Sequence, residues 1–422
     1  MPPKRWFKLD NAAKVYPATY RSYRNHIFRL SATLSEVIDK DVMQSALDVA
    51  VKRFPSIAVG LKRGLFWYYL ESSTVTAKVE DEQSHPLTVM PKEMIRHCAF
   101  RVLVYQKRIA VEFFHSLTDG TGGLIFLKTL VAEYLEQKNG IYITPSNGVL
   151  DRHEQPKEEE TEDSFQKNTG PVSKPRAEKK SFMIPGTVEK DRYVTATSLH
   201  YDVKEALAAA KAHGTTLTEY IGSALIWSVI KIQEETKRRR KKPVRIEVPV
   251  NVRPFFESTT LRNFSLYVNP TIDPNYGEWT FDEICNSVKH QMELSITKKE
   301  MAATITENIG SERSIFVRVM PLPFKNAAIT LIFHLFGSNT TCLALSNLGQ
   351  VTVPDDMKQY VKNFDFYLGA NAESVYNCTM VSYDGELHVN FSRGIKEPKL
   401  EYIFYCLLRD EGLRASVESN QR

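Results

Sequence analysis

Several features that would narrow the compartment or the chemistry are missing from this chain. Its five cysteines, Cys98, Cys285, Cys342, Cys378 and Cys406, are odd in number and scattered, with no two at metal-ligand spacing. They read as reduced thiols in a reducing compartment, not as a disulfide framework or a zinc site. No apolar run reaches the roughly 18–20 residues that cross a bilayer; the longest, Ala327 to Phe336, is interrupted by His334. The opening Met1-Pro2-Pro3-Lys4-Arg5-Trp6-Phe7 is basic but has no apolar core behind it, which argues against a signal peptide. A soluble, cytoplasmic protein without a membrane span is the expectation. Charge of one sign is not concentrated either. A net charge of +5 is far from the basic stripes of nucleic-acid binders, though it suits an anionic small ligand. There is no Gly-x-Ser-x-Gly elbow for a nucleophilic serine.

What is present is ordinary globular material: 422 residues, 42% hydrophobic and 25% charged, enough for two or three domains. The first half alternates strands and helices. His26 to Leu34 has the period of a strand, and Asp39 caps a helix that Pro55 ends. Two hairpins follow, 57–61 with 65–70 and 99–105 with 109–114. Residues 151–192 then change in character: Gln155 to Asp163 is nearly all charged, and Pro171, Pro175 and Pro185 follow. Such a stretch buries too little apolar surface to offset its ordering entropy, so a mobile linker or crossover is expected there. Beyond it, strands are expected at 193–201, 245–250, 264–269 and 341–346, and a hairpin at 378–391. Helices are expected at 203–212, 218–234, from 281, and at 397–412. The predicted organisation is an N-terminal lobe over 1–150, a linker over 151–192 and a C-terminal lobe over 193–422.

One stretch gathers the chemistry. The apolar run Arg108 to Phe114 ends in His115-Ser116-Leu117-Thr118-Asp119-Gly120-Thr121-Gly122-Gly123, after which Leu124, Leu127, Leu130, Val131 and Leu135 recur at helical spacing. Strand, tight loop and helix are predicted, with a histidine at the carboxyl end of the strand, where α/β folds place reactive groups. The plain alternatives are a satisfied strand-end histidine and, for Asp119, the cap of the following helix. No third His, Cys, Asp or Glu nearby completes a metal site, so no metal is expected. The basic run Lys237-Arg238-Arg239-Arg240-Lys241-Lys242 reads as a solvated helix end, with phosphate binding the alternative.

Phe114 to Gly120 resembles the His-x-x-x-Asp-Gly motif of the chloramphenicol acetyltransferase-like superfamily. That group includes alcohol acetyltransferases, plant acyl-CoA-dependent acyltransferases and peptide-synthetase condensation domains. Val248 to Pro254, Asn263 to Asn269, Ser346-Asn347-Leu348-Gly349 and Asp365-Phe366-Tyr367-Leu368-Gly369 are similar to later pieces of the family in the same order. The likeness runs from about residue 25 to 412 and is nearest to bacterial alcohol acetyltransferase-like proteins. It departs at Phe114, where condensation domains usually carry a second histidine. It departs again at Asp365 to Gly369, which keeps only part of the plant Asp-Phe-Gly-Trp-Gly.

The resemblance implies an α/β, two-lobed fold: two mixed-sheet sandwiches around a central tunnel. It implies transfer of an acyl group, acetyl first, from a CoA thioester to an alcohol, with His115 as general base and no permanently bound cofactor. An amine acceptor, a carrier-protein thioester as donor, and a non-catalytic binding protein that kept the fold are the alternatives. By the same resemblance Asp119 points away from substrate to an arginine, Arg253 first and Arg262 next. Gly120 allows a tight turn or close backbone approach, and Ser346 is the side-chain candidate for donating to an oxyanion. His115 itself is expected to face the open tunnel.

Overall fold

The structure is a computed structural model that describes residues 5–20, 26–73, 77–170, 172, 180–236, 241–313, 315–332, 339–370 and 375–421. Sheet and helix are layered in two halves, as the sequence pattern predicts. The first half is built on a five-stranded sheet ordered Val361–Leu368, Ile27–Leu34, Arg108–Phe114, Phe100–Tyr105, Val79–Asp81. Helices Lys40–Arg53 and Gly120–Asn139 pack against each other beside it, and Phe126 of the second meets Phe54, Phe100 and Phe113 edge-on. Asp39 caps the first of these helices by accepting from the Asp41 and Val42 amides.

The second half carries an eight-stranded sheet. Its main path is Ser265–Val268, Val244–Asn251, Leu343–Gln350, Tyr376–Tyr383, Glu386–Arg393, Thr195–Asp202, Ser416–Ser419. Capping boxes start two of its helices, Thr216 with Glu219 and Thr280 with Glu283. Asp384 and Gly385 both take positive φ, 46° and 88°, the turn that a two-residue hairpin requires. Among the described residues no single sheet runs through both halves. A small third sheet joins Trp6–Lys8, Tyr68–Ser72 and Val59–Arg63.

Three expectations change. The segment 361–368, where the sequence pattern predicts no strand, is a strand antiparallel to Ile27–Leu34, with Asp365 opposite Ser31 and Phe366 opposite Leu30. The first sheet is therefore completed from beyond residue 193. The polar interruptions Lys362, Asn363 and Asp365 hid a strand whose Val361, Phe364 and Phe366 are buried.

The second change concerns the charged segment after 151, which is docked as far as residue 170. Arg53 holds Glu160 through two hydrogen bonds of 2.6 and 2.7 Å, and Phe165 packs edge-on against Phe264 with centroids 5.0 Å apart. Glu160 has a buried cationic partner in another element, which composition does not reveal. Residues 171 and 173–179 lie outside the described residues, as do Lys237 to Arg240 of the basic run; Lys241 pairs with Glu234 at 3.5 Å.

Third, ordered structure begins well before residue 26. A strand at Trp6–Lys8 leads to a helix at Val15–Thr19, and this segment lies on the motif loop.

Candidate active site

The strand Arg108–Phe114 delivers His115, whose N–H donates to the His26 carbonyl at 2.8 Å. The chain then turns, with the Leu117 N–H donating to the Phe114 carbonyl at 3.0 Å, and Asp119 becomes the N-cap of Gly120–Asn139. Thr118 Oγ1 donates to the Leu261 carbonyl at 2.6 Å, pinning the loop to the other half of the protein.

Asp119 is almost fully buried and turned toward that half. Arg253 meets its carboxylate with two hydrogen bonds, Nη1 to Oδ2 at 2.9 Å and Nη2 to Oδ1 at 3.0 Å. The Gly122 N–H donates to Oδ1 at 3.1 Å, and the Phe264 N–H and the Ser265 hydroxyl both donate to Oδ2 at 2.9 Å. Burial pushes this carboxyl upward, but the Arg253 charge and the hydrogen bonds outweigh it and hold its pKa below the ordinary value. Arg253 spends its remaining donors on the Thr260 and Arg262 carbonyls and on Asn251. Arg262, the second arginine considered for Asp119, instead faces Asp10 at 3.5 Å.

His115 is only partly exposed. Its ring is half-buried, stacked on Tyr16 with centroids 4.7 Å apart and planes 21° apart, and it meets Phe28 edge-on at 5.0 Å. Nδ1 lies 3.2 Å from Asn263 Oδ1, and the Asn263 amide nitrogen donates to Asp10 at 3.3 Å. That arrangement leaves Oδ1 as the acceptor, so Nδ1 carries the proton and Nε2 the lone pair. Nε2 has no hydrogen-bond partner among the described residues. Burial pushes the imidazole pKa below the usual 6.5, which keeps the ring neutral near pH 7.

Gly120 does not take positive φ. Its missing side chain serves packing instead, because a Cβ there would sit 2.8 Å from Leu348 Cδ2. Ser346 lies within the strand Leu343–Gln350, which continues past the expected end through an irregularity after Asn347. Leu345 packs toward Gly222 on the helical side, so Ser346 occupies the opposite face. Its partner across the strands is Thr379, whose hydroxyl donates to the Phe366 carbonyl of the strand shared with the first sheet. Ser346 thus faces the seam between the halves.

Asn263, Tyr16 and Asp10 were not singled out by sequence. Asn263 precedes the strand Ser265–Val268, and Tyr16 comes from a short helix with no motif.

One group of His, Cys, Asp and Glu among the described residues brings its ligand atoms close together: His200, Glu386 and His388. The two rings are parallel to within 5° at 4.0 Å, so their in-plane lone pairs do not converge on one ion. His388 Nδ1 is also taken by Asp365 at 2.8 Å.

Comparison of the sequence with family models and with curated proteins finds no match. The structure matches a trichothecene 15-O-acetyltransferase from Fusarium sporotrichioides with a TM-score of 0.61 at 10% identity, over 97% of this chain and 94% of that one. It also matches polyketide synthase associated protein 5 from Mycobacterium tuberculosis at 0.58 and 13% identity, over 95% and 96% of the two chains. The chain has the two-lobed fold shared by condensation domains and CoA-dependent acyltransferases. A third structure with this fold is the first condensation domain of the CDA synthetase, at 0.59 and 14% identity, over 95% and 96%. At these identities the likeness establishes the fold alone. No helix among the described residues is long and apolar enough to cross a membrane.

Proposed function

We propose that this chain is an acyltransferase that moves an acyl group, acetyl first, from a CoA thioester to an alcohol. The observation that carries the reading is the state of His115: neutral, oriented through Nδ1 by Asn263, with Nε2 unpartnered among the described residues. Nε2 takes the hydroxyl proton as the acceptor oxygen attacks the thioester carbonyl, forming the C–O bond and a tetrahedral oxyanion. The C–S bond then breaks, and the sulfur takes the proton from His115 Nε2 and leaves as the free thiol, returning the imidazole to its neutral state. No covalent acyl-enzyme forms, which fits the lack of a nucleophile elbow. Asp119 keeps the loop in place through Arg253 and does not touch substrate. Ser346, facing the seam from the other half, is the side chain we assign to the oxyanion. The similarity of the fold to an acetyltransferase supports the reaction class. Condensation domains with the same fold support a carrier-protein thioester as the other donor, presented on the same phosphopantetheine arm.

The test is incubation with acetyl-CoA, a panel of alcohols and amines, and a thiol-reactive dye. Thiol release that depends on an alcohol and disappears in His115→Ala supports the reading. Silence with every acceptor, together with no binding of any thioester, favours a non-catalytic protein that kept the fold.

A further inference from the structure

The helix Leu322–Ile332 carries an apolar stripe that nothing among the described residues covers. Phe324, Ala327 and Leu331, spaced three and four residues apart, face outward, with Phe324 69% and Leu331 60% exposed. The turn between strands Val59–Arg63 and Tyr68–Ser72 sits beside this helix. The Leu322 N–H donates to the Leu65 carbonyl at 2.9 Å, and Lys325 Nζ donates to the Phe66 carbonyl at 2.8 Å. Leu65 and Phe66 are themselves exposed, as are Ile315 and Val319 on the short helix just before. A contiguous exposed apolar face of this kind marks an interaction surface.

Its charge has one sign. Residues 313–354 contain no aspartate or glutamate. Arg63, next to the Leu65 turn, and Arg318, between Ile315 and Val319, are exposed and form no ion pair among the described residues. Glu312, at the end of the preceding helix, is held by Lys14 and Asn11. An apolar helical stripe flanked by free cations matches a layer of anionic headgroups over hydrocarbon. A protein partner would have to supply an apolar groove rimmed by carboxylates.

We propose that this face docks on a bilayer containing anionic phospholipid. The helix lies in the interface with Phe324, Leu331, Leu65 and Phe66 among the acyl chains and Arg63 and Arg318 on the headgroups. The docked face borders the candidate active site. Ala327 and Leu331 also line a cavity of about 500 Å³ whose other wall is Pro17, Ala18 and Tyr20. Tyr16, from the same short helix, is the residue stacked on His115.

The experiment is co-sedimentation of the full chain with vesicles of phosphatidylcholine alone and of phosphatidylcholine mixed with phosphatidylglycerol, at low and high salt. The expected result is binding to the mixed vesicles that weakens with salt. It should fall about 30-fold in Arg63→Ser/Arg318→Ser, about fivefold per surface cation, and be lost in Phe324→Ser/Leu331→Ser, with circular dichroism and melting unchanged. The charge pair, being exposed, keeps the test decisive if the apolar pair misfolds. Protein that stays in the supernatant with both vesicles overturns the proposal. So does a concentration-dependent dimer that Phe324→Ser/Leu331→Ser dissolves, because the face would then join two copies of the chain.

Discussion

Asp119 and Arg253, 134 residues apart in sequence, meet through two parallel hydrogen bonds of 2.9 and 3.0 Å in the buried seam between the halves. Replacing Asp119 with Ala leaves Arg253 charged and unpaired there, and the expected loss is about 3–5 kcal/mol of unfolding free energy in urea. With Asp119 in place, Arg253→Lys should also destabilise, because one ammonium cannot supply both bonds. The Asp119 pKa is depressed in the fold, so its stabilisation is full above the unfolded value of 3.8 and fades as pH falls through the lower folded value. The gap between wild type and Asp119→Asn should therefore close in acid.

His115→Ala should keep the unfolding midpoint and lower turnover by ~10²–10⁴. The acid limb of kcat/KM should lie below 6.5, with activity lost as pH falls through the depressed His115 value and Nε2 becomes protonated. An alanine variant with near-normal transfer would remove His115 from the role of base.

Asn263 tests the orientation of the ring. Asn263→Asp places a carboxylate on Nδ1, which favours the imidazolium and should move the acid limb upward. Asn263→Ala should lower kcat with little change in KM for the thioester. A purely structural asparagine would leave the position of the limb unchanged.

Two glycines of the motif should respond differently to alanine. At Gly122 a Cβ would lie 2.1 Å from the Leu261 carbonyl oxygen and 2.2 Å from Thr118 Oγ1, so the seam itself must move, at a cost of about 1–3 kcal/mol. At Gly120 the obstacle is the end of the Leu348 side chain, and Leu348→Ala should offset Gly120→Ala. Thermal melts of the four variants, read as a double-mutant cycle for the second pair, check both statements.

The His388 site concerns pH and stability rather than catalysis. Burial works against the protonated form of His388, but Asp365 and Glu386 outweigh it and raise its pKa above 6.5. The resulting stabilisation is full below the unfolded value and is lost as pH climbs through the raised one. Melting temperature should fall across that window in wild type and change less in Asp365→Asn.

Much of this was legible from local signals. Asp39, Thr216 and Asp384-Gly385 each announce an end or a turn by their own chemistry, and the elements beside them match the structure closely. The Asp119–Arg253 contact was an expectation from resemblance, since no periodicity links residues so far apart. Asn263 and Tyr16 escaped because their importance lies in what they touch across the fold. The charged segment after 151 was misread because its partners, Arg53 among them, lie in other elements. Strand 361–368 was missed because three polar residues break its pattern, although one of them, Asp365, is the partner of His388 in the second sheet.

That same strand has a bearing on how the chain is made. The ribosome delivers every other strand of the first sheet before residue 115, yet the sheet must wait for residues 361–368 before Ile27–Leu34 is covered on its outer side. For most of synthesis the nascent first half exposes a long, apolar edge, the kind of surface that pairs with other chains. A fragment cut near residue 193 would keep that edge permanently and should aggregate, while a fragment starting there would carry an orphan strand. The first sheet draws strands from both halves of the chain, so co-expressing the two fragments, rather than mixing them after separate expression, is the way to recover it.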